Sequence, residues 1–171
     1  MYFYENAQKE LFFFSFQTLA ISQNIQAECL ISIISHIAPA LPAGTPYILE
    51  YLHYRDIKVG LATSTREEVV KKELSEGGLF EYFDEIVCGD MVKRSKPEPD
   101  IYLEACKRLQ VSPENCYGIE DSYNGIRALK GAGMHAVMVP DLANPTKEME
   151  ELAECILPSL LEVKKYLEEV V

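Results

Sequence analysis

From about residue 45 onward, short β-rich runs alternate with amphipathic stretches, the pattern of strand and helix units in a parallel sheet. The runs at 57–62 (IKVGLA), 85–89 (EIVCG), 116–120 (CYGIE) and 135–140 (HAVMVP) read as strands. Helices are predicted over Thr65–Leu74, Pro99–Leu109 and Tyr123–Ala132, where apolar positions recur three or four apart and Gly or a polar turn ends each run. Pro46–Leu52 and Leu157–Val170 carry the same periodicity. Residues 1–44 lack the alternation, hold a Phe cluster and finish in APALPAGTP, whose prolines and Gly44 suggest a boundary. The expected organisation is an α/β core over 45–171, preceded by a degenerate or truncated first strand and cap region over 1–44.

At 171 residues and 48% hydrophobic composition the chain is one domain in size and has the apolar surface for a proper core. A formal net charge of −11 argues against a sequence-independent grip on nucleic acid or anionic lipid, both of which need clustered Lys and Arg. Any anionic substrate must then be attracted locally. Cys29, Cys88, Cys106, Cys116 and Cys155 are odd in number and contain no C-x-x-C pair, which fits reduced thiols rather than a disulfide or zinc framework. The apolar run Leu11–Ile21 is too short to span a bilayer, and Glu5 and Glu10 beside the single Lys9 leave no positive leader segment. These features predict a cytoplasmic protein; the number of subunits is left open.

In open α/β sheets ligands sit beyond the C-terminal strand ends, so the polar residues directly after each apolar run carry the interest. After IKVGLA come Thr63-Ser64-Thr65-Arg66, where hydroxyls, a helix N-terminus and a guanidinium can cradle a phosphate; the same residues also suit a plain helix cap. In Ser95-Lys96-Pro97-Glu98-Pro99-Asp100 two prolines stiffen the frame and restrict the direction of Lys96. In Gly118-Ile119-Glu120-Asp121-Ser122 two adjacent carboxylates end a strand of apolar residues, where they repel one another unless a cation neutralises them. Mg²⁺, held by one or two carboxylates plus substrate phosphate, is the natural candidate; an acidic turn capping the next helix is the alternative. Asp100, Tyr123 and Asn124 could line the same crevice but better suit caps or turns, and His36, His53 and His135 share no metal-ligand spacing.

The order T-S-T, S-K-P-x-P-D, then G-x-E-D-S-x-x-G-I resembles the haloacid dehalogenase superfamily, in particular its β-phosphoglucomutase-like phosphatases and phosphomutases, over residues 42–170. The resemblance implies a three-layer, Rossmann-like core and Mg²⁺-dependent chemistry on a small phosphorylated metabolite, sugar phosphates included. It implies that Thr63 and the Ser64 N–H bind the transferring phosphoryl group, that Lys96 neutralises charge on it, and that Asp121 ligates Mg²⁺. Glu120 would be a second ligand or an outer partner, and Thr65 and Arg66 would lie near the far end of the substrate.

The family's first motif, D-x-D-G-T or D-x-D-G-V, is absent: no aspartate precedes Asp56. The nearest counterpart is FFFSFQTL, which would set Ser15 at the nucleophile position and Gln17 at the acid/base position. Ser15 would be a poor nucleophile without a base beside it. In this fold the first-motif strand is central, so something must fill the gap between the strands at 57–62 and 116–120, and Leu11–Phe16 has the composition of that strand. Two functions compete: a phosphate-ester hydrolase or mutase, and a remnant that binds Mg²⁺ and phosphate without turnover. A receiver-type signalling domain orders its groups differently, with the acidic pair first.

Overall fold

The computed structural model describes residues 29–32, 44–141 and 143–170. The strands are β1 (Cys29–Ser32), β2 (Lys58–Thr63), β3 (Glu85–Cys88), β4 (Cys116–Glu120), β5 (His135–Met138) and β6 (Cys155–Ile156). They form one sheet in the order β3-β2-β1-β4-β5-β6, and every neighbouring pair is parallel. The helices are α1 (Thr45–Tyr54), α2 (Glu67–Gly77), α3 (Asp100–Leu109), α4 (Tyr123–Ala132), α5 (Lys147–Leu152) and α6 (Leu160–Val170).

Strand alternation sorts the core into two layers. Val59, Leu61, Tyr117, Ile119 and Val137 face one side, where Ile48, Leu52, Val70, Leu74, Val163 and Leu167 bring α1, α2 and α6. Ala62, Val87, Cys116, Ala136 and Met138 face the other, covered by α3, α4 and α5 through Ile101, Ala105, Ile126, Leu129 and Met149. This is the predicted three-layer α/β architecture. Gly118 lies on the second face because a Cβ there would stand 2.0 Å from a Leu129 methyl. Glu120, two residues on, points the same way.

The central position belongs to Cys29–Ser32, not to the Phe-rich run expected there. Leu11–Phe16 lies outside the described residues. Composition favoured the phenylalanines, but a strand flanked on both edges is chosen by register, which pairs Ser32 with Leu61 on one side and Ile119 on the other. The same register sets Cys29 opposite Cys116. Cys88, Cys106 and Cys155 are free thiols as expected, whereas Cys116 is disulfide-bonded, a pairing that sequence spacing does not reveal. Burial pushes the Cys88 and Cys106 thiols up to about 11. Two short elements, α5 and β6, were not predicted. Among the described residues no helix is long and apolar enough to cross a membrane.

Candidate active site

Three loops leave the C-terminal strand ends, and each is braced before it presents a functional group. After β2, the Thr63 hydroxyl accepts a hydrogen bond from the Thr65 N–H at 3.2 Å. Thr63 is buried, Thr65 is half-buried, and Ser64 and Arg66 are exposed. Neither Thr63 nor Ser64 caps α2, which begins at Glu67; instead the Glu67 N–H donates to Asp90 Oδ1 at 3.2 Å, and the Gly89 N–H donates to the Thr65 carbonyl at 3.0 Å. The loop after β3 thus clamps the loop after β2. Gly89 permits the approach, since a Cβ there would meet the Ser64 carbonyl oxygen at 2.4 Å.

The Lys96 loop is closed from outside. Arg94 donates to both carboxylate oxygens of Asp100, at 3.0 and 2.7 Å, and stands 3.0 Å from Glu98. The Arg94 hydrogen bond holds the Asp100 carboxyl below its usual range. Asp100 therefore pins the loop at the start of α3 and does not reach toward a ligand.

Inside this loop Lys96 Nζ donates to Glu120 Oε1 at 2.7 Å, and the two side chains are only 9% and 0% exposed. The Tyr102 hydroxyl, from α3, donates to the same oxygen. Glu120 Oε2 accepts from the Asp121 N–H at 3.2 Å, the Ser122 N–H at 3.3 Å and the Ser122 hydroxyl at 3.1 Å. Both carboxylate oxygens are thus occupied by internal donors, the condition under which a buried charge is tolerable. Ser122 in turn accepts from the Gly125 N–H at 3.0 Å, capping α4. Gly125 matters because a Cβ there would lie 1.9 Å from the Glu120 carboxyl carbon. Burial, then the Glu120 charge and hydrogen bond, push the Tyr102 phenol well above its ordinary value.

Register relates the loops. Leu61, Ser32 and Ile119 form one row, and two residues further along their strands come Thr63 and Asp121, roughly 10 Å apart across β1 at the usual strand spacing. The residues that follow Ser32 lie outside the described residues. The structure thus joins Lys96 to Glu120 directly and gathers Thr63 and Asp121 at the same sheet end. Ser15 lies outside the described residues.

Residues 15–139 match the family described as haloacid dehalogenase-like hydrolase. The chain belongs to this family. It is 38% identical over 128 residues to a phosphorylated carbohydrates phosphatase of Thermotoga maritima, covering 74% of this chain and 59% of that one. It is 41% identical over 108 residues to a β-phosphoglucomutase of Bacillus subtilis, covering 63% and 47%. Among solved structures, CbbY from Rhodobacter sphaeroides in complex with phosphate superposes with a TM-score of 0.66 at 35% identity, covering 72% of this chain and 56% of that one. This haloacid dehalogenase-like chain spans about half the length of the curated relatives it matches.

Tyr102, Gly125 and Arg94 were not singled out from the sequence. Tyr102 reads there as one more apolar position of α3, and only its spacing from Lys96 across the Pro-Glu-Pro segment hints otherwise. Tyr123 donates to the Asn144 carbonyl and ties α4 to the loop after β5, whereas Asn124 accepts from Arg127 at 2.9 Å within α4. His135 is structural, its ring nitrogens meeting Glu154 Oε2 at 2.6 Å and the Glu114 carbonyl at 3.0 Å.

Proposed function

We propose that this chain carries a Mg²⁺-dependent phosphoryl site for small phosphorylated metabolites, sugar phosphates among them. The observation that carries the reading is a buried ammonium, Lys96, held at the C-terminal end of a parallel sheet by a carboxylate whose other partners are all internal. One N–H of Lys96 goes to Glu120; the other two suit phosphoryl oxygens. Thr63 accepts from Thr65, which leaves its hydroxyl proton to donate to the same group. Ser64 adds a backbone N–H, and the half-buried Thr65 and exposed Arg66 suit the distal part of a substrate.

The donor set fits Mg²⁺ in a defined way. Glu120 has no oxygen without an internal donor, which supports its role as the outer partner that orients Lys96. Asp121 would hold the ion together with substrate phosphate and water, the usual mode for Mg²⁺. When bound, the ion supplies charge neutralisation on the phosphoryl oxygens.

A second reading is favoured by one observation: no aspartate precedes Asp56, so the sequence offers no counterpart of the family's nucleophilic aspartate. On that reading the chain binds Mg²⁺ and phosphate without turnover. Phosphatase assays on a panel of sugar phosphates, with Mg²⁺ and with Asp121→Ala as control, separate the two. Hydrolysis that depends on both Mg²⁺ and Asp121 establishes the enzyme; phosphate affinity without hydrolysis establishes the binder. Absence of both rejects the site.

A further inference from the structure

We infer that Tyr102 is a positioning residue which keeps the Lys96 ammonium available to an external anion instead of letting it be consumed by Glu120. The inference rests on the phosphoryl-site reading of Lys96 and goes beyond it.

An ammonium beside a fully buried carboxylate has a strong local attractor, and nothing in an ion pair alone makes it face outward. Here the geometry intervenes at one atom. Glu120 Oε1 accepts from Lys96 at 2.7 Å and also from the Tyr102 hydroxyl. The phenol fills acceptor capacity that a second Lys96 N–H would otherwise take, and it draws negative charge from that oxygen. On the far oxygen the Asp121 and Ser122 N–H groups and the Ser122 hydroxyl occupy the remaining capacity. Glu120 therefore holds Lys96 through one N–H only.

The aromatic ring adds direction. Lys96 Nζ stands 5.2 Å from the Tyr102 ring centroid, within cation–π range, so the same side chain that blocks Oε1 also supports the ammonium from a second side. Tyr102 is fully buried on α3, one of the most rigid placements available, and Gly125 leaves the room in which Glu120 meets it. Two effects thus separate by chemistry: the hydroxyl frees Lys96, and the ring seats it.

Tyr102→Phe removes the first effect and keeps the second. The test titrates inorganic phosphate, with Mg²⁺ at fixed ionic strength, into the full chain and into Tyr102→Phe. Tyr117→Phe is the control, a buried tyrosine on the opposite face of the sheet, away from the site. Phosphate affinity is expected to fall about three- to tenfold in Tyr102→Phe, the scale of one hydrogen bond, and to stay unchanged in Tyr117→Phe. The same titrations are made where the ion pair is removed as a unit, by Lys96→Met with Glu120→Gln, which strands no buried charge. There Tyr102→Phe is expected to add no further loss, because its effect passes through Lys96.

Unchanged or tighter phosphate binding by Tyr102→Phe overturns the inference. So does an equal loss in the background without the ion pair, which marks a merely structural role. If removing the ion pair leaves phosphate affinity at its native value, the phosphoryl-site reading itself fails. Loss of affinity on removing the pair, with none for Tyr102→Phe, refutes the Tyr102 role alone.

Discussion

Two of the charged clusters among the described residues differ in what surrounds the carboxylate. At the C-terminal strand ends, Glu120 is fully buried and every oxygen meets internal donors, with a cation as one of them. At the start of β5, Glu154 is 38% exposed and receives the Tyr166 hydroxyl at 2.7 Å and His135 Nδ1 at 2.6 Å, while His135 stacks on Tyr117 with ring centroids 4.8 Å apart. The first cluster was assembled at high desolvation cost around an ammonium that retains further donors. The second is a screened tie between sheet and α6. On the proposed reading, burial of the charge, rather than the number of hydrogen bonds, separates a site from a strut.

Four substitutions test that distinction. Lys96→Met leaves the Glu120 charge buried without its cation and should cost about 3 kcal/mol in urea unfolding, whereas adding Glu120→Gln should recover most of the loss. Equal stability of the single and double variants would refute the burial account. Gly125→Ala places a methyl on the Glu120 carboxyl group and should cost about 2 kcal/mol while also weakening phosphate binding. Normal phosphate affinity in that variant would show that Glu120 has room to shift.

Glu154→Gln should give the smallest change, at most about 1 kcal/mol, the scale of a solvent-screened pair. Its signature is in pH. Burial raises the Glu154 pKa, but hydrogen bonds from Tyr166 and His135 outweigh it and hold the carboxyl below its ordinary 4.5. A carboxylate depressed on folding contributes fully above its unfolded pKa, and the contribution is lost as pH falls through the folded value. Native stability should therefore drop more steeply than that of Glu154→Gln below about pH 4.5, seen by urea unfolding across the acid range. Parallel acid limbs would remove Glu154 from the account.

Where local signals were strong, the sequence was enough. CYGIE and the helix from Tyr123 to Ala132 were read to the residue, because Ser122 caps one end of the helix and Gly133, at φ 82°, stops the other. Thr63, Lys96, Glu120 and Asp121 were singled out because polar residues following apolar runs mark the ligand side of a parallel sheet, and the structure sets Lys96 on Glu120. What escaped was non-local. The Lys96–Glu120 bond joins positions 24 apart, Tyr102 looks like any core residue until its hydroxyl is placed, and β1 is decided by partners far along the chain. A phenylalanine-rich run is a sound guess from composition, yet composition does not encode which two edges a strand must satisfy.

The central place of β1 also bears on how the chain comes together. Cys29 is made well before one of its partners, Cys116. Until β4 has emerged from the ribosome, β1 can pair on one edge only, and the β3-β2 and β4-β5-β6 halves cannot close into one sheet. Such long-range parallel pairing is slow to form and leaves strand edges open to other chains meanwhile. Nascent-chain handling is then a stage at which a sheet of this strand order is open to aggregation.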